Sequence, residues 1–133
     1  MAVVRNINQE RHDMSNENLK LRTKQFALRV IKLVESLPHD MTSNVLGRQL
    51  LRAGTSVGAN YRAVCRSKSP ADFISKMGTV EEEADESGYW MELLVDAGKV
   101  RVAKMSALLQ ESGELTAIAV SSINTARKSQ GRH

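Results

Sequence analysis

Apolar residues recur along most of this chain at intervals of three, four and seven. Leu19, Phe26, Val30, Leu33, Val34 and Leu37 follow this rule, with Ala27 and Ile31 widening the stripe. The spacing gathers them on one face of a helix and predicts a first helix over 18–37. Pro38 ends it, because the residue before a proline is pushed out of the α region. A second helix is predicted from Thr42 or Ser43, either a good N-cap, to Arg66. Its apolar face is Leu46, Leu50, Ala53, Val57, Tyr61 and Val64. Ser69 as N-cap, Pro70 at the first helical position and Asp72 in the first turn start a third helix. That helix carries Phe73, Met77, Val80, Ala84, Met91 and Leu94 on one side and is closed by Gly98. A fourth is predicted from Lys104 or Ser106 to Arg127, with Leu108, Leu115, Ile118, Ala119, Ile123 and Ala126 turned inward.

Four amphipathic helices with short links predict an all-α, antiparallel, up-down-up-down four-helix bundle over residues 18–128. An N-terminal arm of little periodicity (1–17) precedes it and a polar tail (129–133) follows. Gly47, Gly54 and Gly58 form a stripe of their own on the second helix. Each costs about 1 kcal/mol against alanine in a helix interior. The stripe therefore has a packing reason, the close approach of another backbone, or else marks a kink. Gly54 and Gly58 are also candidates for a contact between subunits.

Composition narrows the picture further. Aromatics are 4% of the chain, so the core must be built from aliphatic residues and methionine. The apolar runs are too short for a membrane span. The first ten residues lack an apolar signal region, and Cys65 is the only cysteine, which rules out an intrachain disulfide. Together these place the expected setting in the reducing cytoplasm. Net charge is unevenly distributed. Residues 19–37 and 38–69 each carry five cations against one acid, whereas residues 70–99 carry eight acids against two cations. Such asymmetry implies pairing between helices, an anionic partner, or both.

Arg48, Arg52, Arg62 and Arg66 fall within an arc of about 80° on the second helix, with only Thr55 and Ala59 between them. A row of guanidinium groups suits phosphates, which accept their forked donors. Arg22, Arg29 and Lys32 on the first helix would widen the patch. The plainer alternative is that the row pairs with the acidic face of the third helix, within a subunit or across an interface. The scarcity of aromatics argues against base stacking. Glu83, Glu86 and Trp90 stand near one another and are expected to meet Ser56 and Asn60 in a polar layer that fixes helix register. No metal centre or cofactor is expected. The cluster Glu81, Glu82, Glu83, Asp85 and Glu86 has no Glu-x-x-His motif, and His12, His39 and His133 lie elsewhere. No catalytic triad, phosphate loop or zinc-protease motif occurs, and Cys65 reads as a small packing residue. A non-catalytic protein is expected.

The stretch Gln49-Leu-Leu-Arg-Ala-Gly-Thr-Ser-Val-Gly-Ala-Asn-Tyr-Arg62 is followed by Ser69-Pro-Ala-Asp-Phe-Ile-Ser-Lys76, Glu81-Glu-Glu-Ala-Asp-Glu-Ser87 and Tyr89-Trp-Met-Glu-Leu-Leu94. With Glu114-Leu-Thr-Ala-Ile118 and Ser122-Ile-Asn-Thr-Ala-Arg127, this pattern resembles the bacterial family encoded in intervening sequences of 23S ribosomal RNA genes. The resemblance runs from about Phe26 to Arg127. Where many members continue Asn-Ile-Ala-Glu-Gly, this chain has Asn60-Tyr-Arg-Ala-Val64. The resemblance implies a left-handed bundle and ring-shaped homopentamers, and it leaves the biochemical role open. The accessory protein of diversity-generating retroelements, a basic pentamer that engages nucleic acid and a reverse transcriptase, is similar in fold. The resulting expectation is an oligomeric bundle that binds RNA or DNA through its basic surface. The alternative is a protein-interaction or scaffold module with no nucleic-acid role.

Overall fold

The structure, a computed structural model, describes residues 2–131, with side chains from Asn16 onward. Four helices make up the fold: α1 (Ala2–Glu35), α2 (Met41–Val64), α3 (Pro70–Asp96) and α4 (Val102–Gly131). Among the described residues there is no strand. The helix α1 takes in residues 2–17 of the N-terminal arm, and α4 takes in 129–131 of the polar tail. Arg132 and His133 lie outside the described residues, as does the side chain of His12.

Local chemistry sets the helix ends. After α1, the Ser36 and Leu37 amides donate to the carbonyls of Leu33 and Val34 before Pro38 breaks the ladder. The N-cap of α2 is Asp40, slightly upstream of Thr42 and Ser43, the caps that spacing favours. Its extended backbone (φ −135°, ψ 166°) lets the carboxylate accept from the Ser43 amide at 2.8 Å. Ser43 is buried, and its hydroxyl donates back to Asp40 at 3.1 Å. The amide bond is the main reason the Asp40 carboxyl titrates below its ordinary range. At α3, Ser69 caps as expected and accepts from the Asp72 amide at 3.0 Å, while Asp72 accepts from Lys68 N–H at 3.0 Å. The end of α3 is a Schellman turn. Gly98 takes φ +74°, its amide donates to Val95, and the Lys99 amide donates to Leu94.

Consecutive helices pack extensively, while α1 and α4 meet at far fewer points. Contacts between α1 and α2 step in opposite directions along the two helices: Leu37 lies against Gly47, Val30 against Gly54 and Thr23 against Gly58. The glycine stripe is thus used inside the subunit, as a track on which α1 lies close. A Cβ on Gly54 would stand 2.8 Å from a Val30 methyl. That disposes of Gly54 as a subunit contact.

The core holds Phe26, Leu50, Val57, Tyr61, Met91, Leu94 and Leu115, with most other predicted inward positions, and also Met105, which the spacing does not single out. Leu19, Val34, Leu46 and Phe73 are only partly buried at its edge. Four hydroxyl residues, Thr23, Ser43, Ser87 and Ser112, are also buried. Thr23, Ser87 and Ser112 donate to carbonyls of their own helices at 2.8 Å, which removes the cost of burying an unpaired hydroxyl. Among the described residues no buried side-chain polar atom lacks a partner.

Candidate nucleic-acid interface

The α2 arginine row is split by its surroundings. Positions 54 and 58 face α1, so the far edge of the row faces α3. Arg52 lies on that far edge and is drawn to α3, where it pairs with Glu83 at 3.4 Å and with Glu86. Glu86 also accepts from the Trp90 indole N–H at 3.0 Å. The carboxylates of Glu83 and Glu86 are therefore occupied by an arginine and an indole. Ser56 and Asn60 do not join them. The Ser56 hydroxyl donates to the Arg52 carbonyl at 2.6 Å, and the Asn60 amide donates to the Ser56 carbonyl at 2.8 Å. Arg52 holds the place expected for those two residues, because its longer side chain reaches α3 and theirs turn back to their own helix.

Arg48, Arg62 and Arg66 differ. All three are exposed, and among the described residues none contacts a carboxylate. The Arg66 guanidinium only donates to the Arg62 carbonyl at 3.2 Å. Arg29 and Lys32 on α1 are likewise exposed and form no ion pair among the described residues.

Arg22 is the other departure from a simple basic patch. Its guanidinium grips Glu111 of α4 with two parallel bonds, Nε to Oε2 at 2.8 Å and Nη2 to Oε1 at 2.7 Å. Nη2 also reaches Glu114 at 3.2 Å. The bidentate bond holds the Glu111 carboxyl below its ordinary pKa and fixes the arginine more firmly in its charged form. Arg22 joins α1 to α4 and has little left to offer an external anion. Sequence spacing could not foresee this, since Arg22 and Glu111 are 89 residues apart.

The acids of α3 face two ways. Glu83 and Glu86 turn toward α2, whereas Glu82, Asp85, Glu92 and Asp96 are exposed and form no ion pair among the described residues. Among the described residues no three His, Cys, Asp or Glu side chains converge as metal ligands. Tyr61, inside the bundle, donates its hydroxyl to Asn16 at 3.2 Å, and burial raises its pKa. No helix among the described residues is long and apolar enough to cross a membrane.

Residues 17–121 match the family described as 23S rRNA-intervening sequence protein. A crystal structure from Bacteroides thetaiotaomicron, described as a protein with unknown function from the S23 ribosomal protein family, is similar in fold with a TM-score of 0.73. It is 34% identical, and the alignment covers 78% of this chain and 96% of that one. No curated protein matches this sequence.

Proposed function

The chain belongs to the 23S rRNA-intervening sequence protein family, and from that premise we propose that it acts by binding rather than catalysis, as a self-assembling helical bundle that holds RNA or DNA on its basic face. One observation carries the reading. Arg48, Arg62 and Arg66 stay exposed on α2 and have no acidic partner among the described residues, although the chain has carboxylates to spare on α3. Unneutralised guanidinium groups aligned on one helix favour a phosphate backbone, and binding that releases counterions depends steeply on salt. The titrations displaced elsewhere belong to an inter-helix clamp, the Asp40 cap, Asp72 paired with Lys76 and a buried phenol, all of which have structural explanations. Self-assembly, with a homopentamer the expected size, belongs to the same reading. It is supported by apolar side chains left in water on α1 and α4, such as Leu28 (53% exposed) and Val102 (64%).

Mobility shift of mixed RNA and DNA across a salt series tests the reading. Arg48→Ala/Arg62→Ala/Arg66→Ala should shallow the salt slope by about 2, since each phosphate neutralised on a single strand adds about 0.7 to it. Arg52→Ala, whose guanidinium is already engaged, should change it little. Binding absent even at low salt would end the nucleic-acid reading. The scaffold reading keeps one observation in its favour, the unpaired acidic outer face of α3, which would suit a basic protein surface.

A further inference from the structure

On α2 alone the cation row is broken. Arg48 and Arg62 are 14 residues apart, about 21 Å at the helical rise. Arg52, between them, is committed to α3. At the row's Arg62 end the neighbouring helix adds two cations. Because Thr23 lies against Gly58 and Val30 against Gly54, the Lys20–Lys24 turn of α1 comes alongside residues 55–62 of α2. There the two helices form an open groove of about 540 Å³. It is lined by Lys20, Lys24 and Arg62, by the small residues Ala27, Gly58 and Ala59, and by Leu21. The small lining residues let a ligand approach both backbones, and no aromatic lines the groove. One acid is present at its end: Glu17 lies 3.3 Å from Lys20, with its side chain 71% exposed. Such a pair is too well hydrated to neutralise the lysine against a stronger anion.

We propose that the α1–α2 groove, with Lys20 and Lys24 as its central contacts, is the track for the phosphodiester backbone of a single nucleic-acid strand. The proposal rests on the nucleic-acid reading above and relocates its centre from the α2 row to the seam between two helices. Neighbouring helix axes lie about 8–10 Å apart, so the seam admits one backbone rather than a duplex. Lys24, Lys20, Arg62 and Arg66 then gather at one end of the seam, with Arg48 further along α2. Without aromatics to stack bases, recognition follows the backbone and is indifferent to sequence.

The test is fluorescence anisotropy of a labelled oligouridylate of about 20 nucleotides, titrated with the full chain across a KCl series. Lys20→Gln/Lys24→Gln should lower the salt slope by about 1.4, so affinity between 50 and 200 mM salt falls about sevenfold less steeply than for wild type. Ala59→Glu, which sets a carboxylate at an exposed position lining the groove, should weaken binding at low salt more than tenfold while helical circular dichroism is unchanged. A duplex of the same length should bind less well. If the lysine variant keeps the wild-type slope while the triple arginine variant loses it, the groove is refuted and the arginine reading stands. If wild type binds no oligonucleotide, both fall. A change in particle size on light scattering with the slope unaltered would assign the groove to a second copy of the chain and overturn the proposal.

Discussion

Gly54→Ala is a demanding test of the packing described above, because two effects of opposite sign meet at one atom. Alanine is about 1 kcal/mol better than glycine in a helix interior. At this position the added Cβ would lie 2.8 and 2.9 Å from the two γ-methyls of Val30 and 3.1 Å from its Cβ. Ordinary carbon contacts are about 3.5–4.0 Å, so α1 and α2 must part by most of an ångström. Val30 cannot turn aside. It is fully buried, it is β-branched with one favoured rotamer in a helix, and both of its methyls are in the way. Overpacking of this kind costs about 1–3 kcal/mol, which gives a net loss of about 1 kcal/mol. Gly78→Ala and Gly113→Ala provide controls with identical chemistry, since a Cβ at either meets nothing within 4 Å. Each should gain up to about 1 kcal/mol. Urea unfolding followed by circular dichroism, at one protein concentration so that assembly does not shift the midpoint, should separate Gly54→Ala from the controls by about 2 kcal/mol. A Gly54→Ala midpoint that rises with the controls would refute the close approach of α1 and α2.

Two further outcomes follow from the same structure. Glu111→Gln should cost about 1 kcal/mol at neutral pH, a value discounted for the partial exposure of Arg22. Because the folded Glu111 carboxyl titrates below its ordinary 4.5, its contribution is complete above that value and fades as pH falls through the lower folded value. The gap between wild type and Glu111→Gln in denaturant midpoint should therefore narrow below about pH 4, and a pH-independent gap would contradict the clamp. Gly98→Ala should destabilise by about 1 kcal/mol in thermal melts, because its φ of +74° burdens any residue with a side chain; a rise in melting temperature would count against the Schellman turn.

Most of the architecture is legible in the sequence because helices announce themselves by period and punctuation. Ser69-Pro70 and Gly98 act in the structure as their chemistry demands. Asp40 is hard to read as a cap because Thr42 and Ser43 are themselves good caps, and only the backbone angles at position 40 decide among them. The buried Ser87 and Ser112 are easily passed over because hydroxyls read as polar. Yet 84, 87 and 91, like 108, 112 and 115, keep the core spacing, and that is the available signal. The arginine row is legible as a row. Its division is not, since an 80° arc straddles two neighbours, and which edge faces α3 depends on how the helices are arranged. Arg22 meeting Glu111, and Lys20 and Lys24 meeting the α2 groove, are likewise products of long-range register that local spacing does not encode.

The bundle is fastened differently on its different sides. Three of its contacts between helices are broad and greasy, whereas α1 and α4 are joined mainly by the arginine latch to Glu111 and Glu114 and by Lys104 reaching the Ser36 hydroxyl at 2.8 Å. Ions in solution weaken the latch's exposed arm to Glu114, while the part-buried bidentate bond to Glu111 is screened much less. With so few points of contact, local opening is expected first where the first and last staves meet, and amide protons along that line should exchange soonest.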